Sequence, residues 1–296
     1  MADCDPGTPA RPPAPPPRAL RVGLVQWRST PGEPSENLGM AIRLVHAAAD
    51  QGADIVCLPE LWASGYATSS LAEDVRAAAE PIPGPRSRHL ADLARARRVW
   101  LFAGSVPELS AGRLFNTMLV LDRSGNLRHI HRKTRLYPTT GEDRIFAPGD
   151  TLSYLSEPEL GRIGTMICFE GDFPESGRWM RRQGVSIVVQ PNAYEYEAGR
   201  YWDLLYPASA LVNALWLILP NQCGGPEGET LLGGSRIVSP DGTVLVEAPR
   251  ASPGQLLPPS VIVRDLVERE EYEEARGFAG LLSSRAELVH SPEESS

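Results

Sequence analysis

Cysteine is scarce in this chain. Cys4, Cys57, Cys168 and Cys223 are spread over 296 residues, and no two form a CxxC pair. That spacing gives neither a disulfide framework nor a set of zinc ligands. The five histidines (His46, His89, His129, His131 and His290) do not cluster with them, so no metal site is indicated. His129 and His131 alternate on what reads as a strand, where a surface position or a satisfied hydrogen bond is the simpler reading. Positive charge is also in deficit: 29 Lys and Arg face 37 Asp and Glu, for a net charge of −8. With an isoelectric point near 5.3, no basic face is offered to phosphates, which argues against nucleic acid or an anionic membrane as partner. Apolar runs stay below the roughly 18 residues of a membrane span. The N-terminus lacks a basic stretch followed by an apolar core, so a secretory signal is not expected and a cytoplasmic protein with reduced thiols is. There is no GxGxxG, P-loop or GxSxG motif and no solenoid repeat.

What remains is an ordinary globular composition, 42% hydrophobic and 22% charged, long enough for one large layered domain. Residues 1–18 are rich in proline (PARPPAPPPR), which fixes φ and removes amide donors, so a disordered tail is expected there. The ordered domain is expected over 20–288, with a polar tail over 289–296. RVGLVQW reads as a buried strand. Leu38, Ile42, Val45 and Ala49 recur at helical spacing, and Ala53–Leu58 is a second strand. Arg86–Arg98 reads as helix and Val99–Gly104 as strand. Arg113–Leu121 and Leu127–His131 flank a turn ending at Gly125, a hairpin pattern. After an apolar run from Ile163 to Ile167, helix is expected over Glu175–Gln183 and Trp202–Ala214, with strands at Ser186–Gln190 and Leu215–Leu219. A second hairpin surrounds Pro240-Asp-Gly242, Val261–Val263 is a last strand, and Leu266–Leu288 begins as a charged helix. Alternating helices and strands interrupted by hairpins fit sheets packed face to face under outer helices.

Three reactive side chains stand where an apolar strand ends: Glu60 in CLPELWASGY, Lys133 in HRKTRLYP and Cys168 in MICFEGDFPE. Alone, Cys168 also reads as a packed core thiol, and Glu60 and Lys133 as solvated charges. Together they make a coherent site. A thiol attacking a carbonyl or nitrile carbon must lose its proton, and a carboxylate can take it if burial raises its pKa. A lysine beside it supplies the positive charge that a tetrahedral oxyanion needs.

In their order, LPELWASGY, HRKTRLYP and GTMICFEGDFPE resemble the glutamate, lysine and cysteine motifs of the nitrilase, or carbon–nitrogen hydrolase, superfamily. GEDRIFAPGD and GGSRIVSPDGTVL resemble two further family segments. The likeness spans roughly Leu20 to Leu288. It implies an α+β four-layer αββα sandwich, often paired into a homodimer or higher homo-oligomer, and a reaction without a cofactor. It casts Glu60 as general base, Lys133 as oxyanion stabiliser and Cys168 as the nucleophile of an acyl-enzyme. Glu142 falls where the family places a second glutamate near substrate and lysine, and the N–H of Phe169 is a candidate oxyanion donor.

Two departures stand out. Phe169-Glu170 replaces the common Tyr-Asp after the cysteine, with a possible shift of the pocket wall. Ser209-Ala-Leu-Val212-Asn213 lacks the Arg and Glu often found there. The Phe-Pro-Glu continuation argues for the amidase branches, whose substrates are ω-amides, short aliphatic amides or N-carbamoyl amines. An amide-forming acyltransferase, a true nitrilase and a non-catalytic scaffold are the other readings, the last opposed by the intact Glu60, Lys133 and Cys168. Asp172 either receives a cationic amine of the substrate or pairs with Arg178 or Arg181. Asn192, with Tyr66, Tyr137, Tyr194, Tyr196 and Trp202, is a candidate for the pocket wall.

Overall fold

The structure, a computed structural model, describes residues 20–266. The proline-rich tail over 1–18, the polar tail over 289–296 and, beyond Leu266, the expected charged helix lie outside the described residues.

The first sheet begins with β1 (Arg21–Gln26), β2 (Ile55–Cys57) and β3 (Trp100–Ser110), which run parallel. β4 (Arg113–Leu121) and β5 (Leu127–Arg132) follow as antiparallel hairpin strands. The second sheet contains β6 (Ser153–Glu157), β7 (Gly161–Thr165), β8 (Ile187–Val189) and β9 (Trp216–Leu219). A short ribbon, β10 (Cys223–Gly224) with β11 (Leu231–Leu232), precedes β12 (Arg236–Val238) and β13 (Val244–Glu247), which complete that sheet. The last described strand, β14 (Ser260–Asp265), returns to pair antiparallel with β1. The strand orders are β14-β1-β2-β3-β4-β5 and β13-β12-β9-β8-β7-β6. Each sheet therefore has a parallel centre and antiparallel flanks, because a parallel pair needs a crossover whereas a hairpin needs only a turn.

The crossovers are helical. Among the described residues the helices are α1 (Pro34–Asp50), α2 (Leu71–Ala78), α3 (Pro85–Arg97), a single turn α4 (Glu142–Ile145), α5 (Pro174–Arg182) and α6 (Gly199–Asn213), and all but α4, which lies between β5 and β6, sit in the crossovers. Proline opens α1, α3 and α5, where its missing N–H has no intrahelical partner to lose. Strand alternation sorts the core. Leu24, Ile55, Cys57 and Phe102 point between the sheets to meet Ile163, Ile187 and Ile218, whereas Val25, Val56, Leu58 and Leu101 pack under α1 and α3. Met180 of α5 with Trp202 and Tyr206 of α6 close the other face. The result is the αββα sandwich, with each buried large apolar side chain worth about 1.5–3 kcal/mol.

Both expected hairpins form, at β4–β5 and β12–β13. The structure departs from the sequence reading at several elements. α2, β6 and the β10–β11 ribbon form where no element was expected. β3 runs on past Gly104 to Ser110, through a bulge between Phe102 and Ser105. α6 starts at Gly199 and continues through Pro207 rather than starting at Trp202.

Candidate active site

The loops after β2, β5 and β7 converge at one end of the sandwich, bringing together residues far apart in sequence. Glu60 sits two residues beyond Leu58, with its N–H donating to the Asn192 carbonyl after β8. Gly104 is what allows β3 to lie against this loop: a Cβ there would fall 2.0 Å from the Pro59 carbonyl oxygen. Lys133 directly follows β5, with its N–H donating to the Asn116 carbonyl at 2.8 Å. Cys168 opens a 3-10 turn beyond β7 and holds the left-handed conformation at φ 45°, uncommon for a residue with a side chain. The Pro191 carbonyl and the side-chain amide of Gln190 fix its backbone at 2.9 Å each.

The charged centre is fully buried. Lys133 Nζ lies 2.8 Å from Glu60 Oε1 and 2.7 Å from Glu142 Oε2. Asn116 Nδ2 donates to both carboxylates, at 2.9 and 3.3 Å. The Tyr137 N–H adds a third donor to Glu142. One oxygen, Glu60 Oε2, is left buried with no hydrogen-bond partner among the described residues, so an acceptor lone pair remains open at the site. Burial alone would push the Lys133 ammonium towards neutrality, but Glu142, Glu60 and Cys168 outweigh it and raise its pKa. Burial raises Glu142, against the pull of Lys133. Burial, then the charge of Glu60, hold the Cys168 thiol well above its usual range, although Lys133 and the Ala193 N–H favour the thiolate. The surroundings thus favour the neutral thiol over the thiolate.

Cys168 opens onto a cavity of about 460 Å³. Tyr66, Tyr137, Phe169 and Phe173 form an aromatic wall, with the Phe169 ring 5.0 Å from both the tilted Tyr137 ring and the edge-to-face Phe173 ring. Asp172 lines it too, but its partner is neither Arg178 nor Arg181. Its oxygens accept from the hydroxyls of Tyr194 at 3.0 Å and Tyr206 at 2.9 Å. Asn192 is not on the wall. It is fully buried, donating to the carbonyls of Gln190 and Pro220, because β8 turns it inward behind Ala193. Tyr194 lines the cavity, whereas Trp202 is buried behind it, stacked on Tyr194 and Tyr206, and Tyr196 faces solvent. Glu170 does not shape the wall either. It is buried on the opposite side of the turn, against His131, Thr134 and the Ile167 N–H.

Sequence reasoning missed Asn116, Tyr206, the Ala193 N–H and Glu195. Asn116 had a signal, a lone amide inside the apolar strand LFNTMLV. Tyr206, in a helix, and Glu195, in a loop, had none, since a tyrosine or a glutamate there looks the same wherever it points.

The model of the carbon–nitrogen hydrolase family matches residues 21–272. The chain belongs to that family. It is therefore a member of the nitrilase superfamily and an enzyme of the carbon–nitrogen hydrolase type. An omega-amidase of Xenopus tropicalis is 33% identical over 238 residues, covering 77% of this chain and 84% of the relative. A branch 10 member of the nitrilase superfamily from Saccharomyces cerevisiae superposes with a TM-score of 0.74 at 24% identity, covering 93% of this chain and 96% of that one, which shows the shared fold. A variant of the amidase of Nesterenkonia sp. AN1, with the acetamide moiety of fluoroacetamide covalently added at its active-site cysteine, superposes at 0.72 with 27% identity, covering 91% and 95% of the two chains. No helix among the described residues is long and apolar enough to cross a membrane.

Proposed function

We propose that this chain hydrolyses the carbon–nitrogen bond of a small non-peptide amide or N-carbamoyl amine through a thioester on Cys168. The observation that carries this reading is the buried Glu60–Lys133–Glu142 group, with one open carboxylate oxygen, beside a left-handed cysteine that opens onto an aromatic cavity. Glu60 takes the Sγ proton as the sulfur adds to the carbonyl carbon, whose π electrons move to oxygen. Lys133, held by Glu142, and the Phe169 N–H stabilise that oxyanion. Collapse breaks the C–N bond, and Glu60 returns the proton to the departing ammonia or amine. Water then loses its proton to Glu60 and adds to the thioester, and collapse releases the acid, with the proton returning to sulfur. The upward push on the thiol fits a cycle in which Glu60 takes the proton as the sulfur attacks. The covalent adduct of the Nesterenkonia amidase supports the thiol as nucleophile by likeness.

The test is ammonia release from a panel of aliphatic amides, ω-amino amides, N-carbamoyl amines and nitriles, with Cys168→Ala run alongside. We expect release that vanishes in Cys168→Ala and an acyl mass on wild-type protein quenched in acid. Release that survives in Cys168→Ala overturns the reading. Hydroxamate formation in the absence of any hydrolysis would instead favour an acyltransferase.

We infer also that two copies pair across the outer face of α6 in a cytoplasmic homodimer. Tyr201, Leu204, Leu211 and Val212 are exposed on that helix, more apolar surface than a free helix ordinarily leaves to water.

A further inference from the structure

We propose that the cavity selects amides whose acyl part carries a protonated amine, and that Glu195 is the carboxylate that receives it. This rests on the amidase reading above and adds the charge of the substrate to it. Two carboxylates, Asp172 and Glu195, line the cavity, and among the described residues no lysine or arginine does. The buried Lys133 behind it is balanced by Glu60 and Glu142. An acyl group carrying a carboxylate would thus meet like charge on the wall and no partner. The chemistry of the wall discriminates by repulsion as well as attraction.

The two acids are not equivalent. Asp172 has each oxygen engaged by a tyrosine hydroxyl, so its acceptor capacity is largely used inside the protein. Glu195 has no side-chain hydrogen bond or ion pair among the described residues, and does not cap the 3-10 turn Tyr196–Ala198 that follows it. Its backbone is nevertheless fixed, by a bridge to Leu231 and by the Ala198 N–H donating to its carbonyl at 3.2 Å. A half-buried carboxylate at the cavity wall is therefore engaged by no side chain or N–H among the described residues. Partial burial first, and the neighbouring Glu197 second, raise its pKa. Both penalties are relieved by an arriving cation, which gains more there than beside a solvated acid. The rings of Tyr137, Phe169 and Tyr201 on the same cavity add the attraction that rings offer to an ammonium, whereas Phe173 already carries the Arg135 guanidinium 4.1 Å from its centroid.

The experiment compares kcat/KM for a ladder of ω-amino amides of increasing length with neutral alkyl amides of matched length and with succinamate. Wild-type protein should prefer the best cationic amide over its neutral match by about tenfold or more, with succinamate poorest. Glu195→Gln should lower the cationic-to-neutral ratio by about tenfold, and Glu195→Lys should invert the ranking of cation and anion. A second measurement needs no turnover: butylammonium should protect Cys168 from iodoacetamide in wild-type protein and lose that protection in Glu195→Gln. Hydrolysis of neutral amides with no cationic preference, or with a preference that Glu195→Gln leaves intact, overturns the role of Glu195 and spares the amidase reading. Absence of hydrolysis with every amide overturns that reading itself. In that case butylammonium protection lost in Glu195→Gln would still support cation binding at Glu195, and its absence would end the proposal.

Discussion

His131 Nε2 donates to Glu170 Oε2 across 2.8 Å, and both side chains are buried behind the turn that opens with Cys168. The same carboxylate accepts from the Ile167 N–H at 2.6 Å and from the Thr134 N–H and hydroxyl at 2.7 and 2.6 Å. One residue thus ties the strand end that carries Lys133 to the turn that carries Cys168. Burial would raise the Glu170 pKa, but His131, Thr134 and their hydrogen bonds bring it below the usual value. A depressed carboxylate contributes stability that is present above its unfolded pKa of about 4.3 and lost as pH falls through the lower folded value.

Glu170→Gln should therefore cost about 2–4 kcal/mol of stability in urea unfolding at neutral pH. It should also reduce the loss of stability seen below about pH 4 in wild-type protein. Unfolding curves that coincide for the two proteins across that range would remove the clamp from this account.

Glu60→Gln should move thiol reactivity and turnover in opposite directions. Burial and the charge of Glu60 together hold the Cys168 thiol high. Removing that charge brings the midpoint of the pH profile for iodoacetamide labelling down. Losing the proton carrier lowers kcat/KM by about 10²–10⁴-fold. Parallel changes in both would place Glu60 outside the proton path.

Lys133→Met leaves Glu60 and Glu142 facing each other without the cation between them. A destabilisation of about 3–5 kcal/mol is expected in urea, with activity abolished. Combining it with Glu142→Gln should restore much of the stability and none of the activity, a separation that equilibrium unfolding and ammonia release resolve.

Asp172→Asn should keep the cationic-to-neutral substrate ratio, because its oxygens already serve Tyr194 and Tyr206. Kinetics on matched cationic and neutral amides check this. A collapse of the ratio here, with Glu195→Gln silent, would assign the amine to Asp172 instead.

Leu204→Arg places a charge in the middle of the exposed α6 face, where Leu204 is 60% exposed. Light scattering at micromolar concentration should show a dimer for wild-type protein and a monomer for the variant. Monomeric wild-type protein would remove the pairing proposal.

Much of the arrangement was written locally. Short apolar runs marked β1, β2 and β9, a turn glycine marked the β4–β5 hairpin, and proline opened α1, α3 and α5. Three motifs in order fixed the family and picked out Glu60, Lys133 and Cys168, because their surroundings are continuous in sequence. β6 and the β10–β11 ribbon were invisible for the opposite reason. Their segments are short and mixed, and they become strands only because a neighbouring strand offers hydrogen-bond partners.

The same division runs through the site. The sequence by itself determined which residue types are present and that three of them stand at strand ends. Only the tertiary structure decided which atoms meet. It put Asn116 between two carboxylates, gave Asp172 to two tyrosines rather than to an arginine, and turned Asn192 inward while leaving Glu195 at the cavity wall without a side-chain partner among the described residues. The reason is physical: whether a polar side chain is bound, buried or free depends on which partners long-range packing brings within about 3 Å, and local sequence carries no record of that distance.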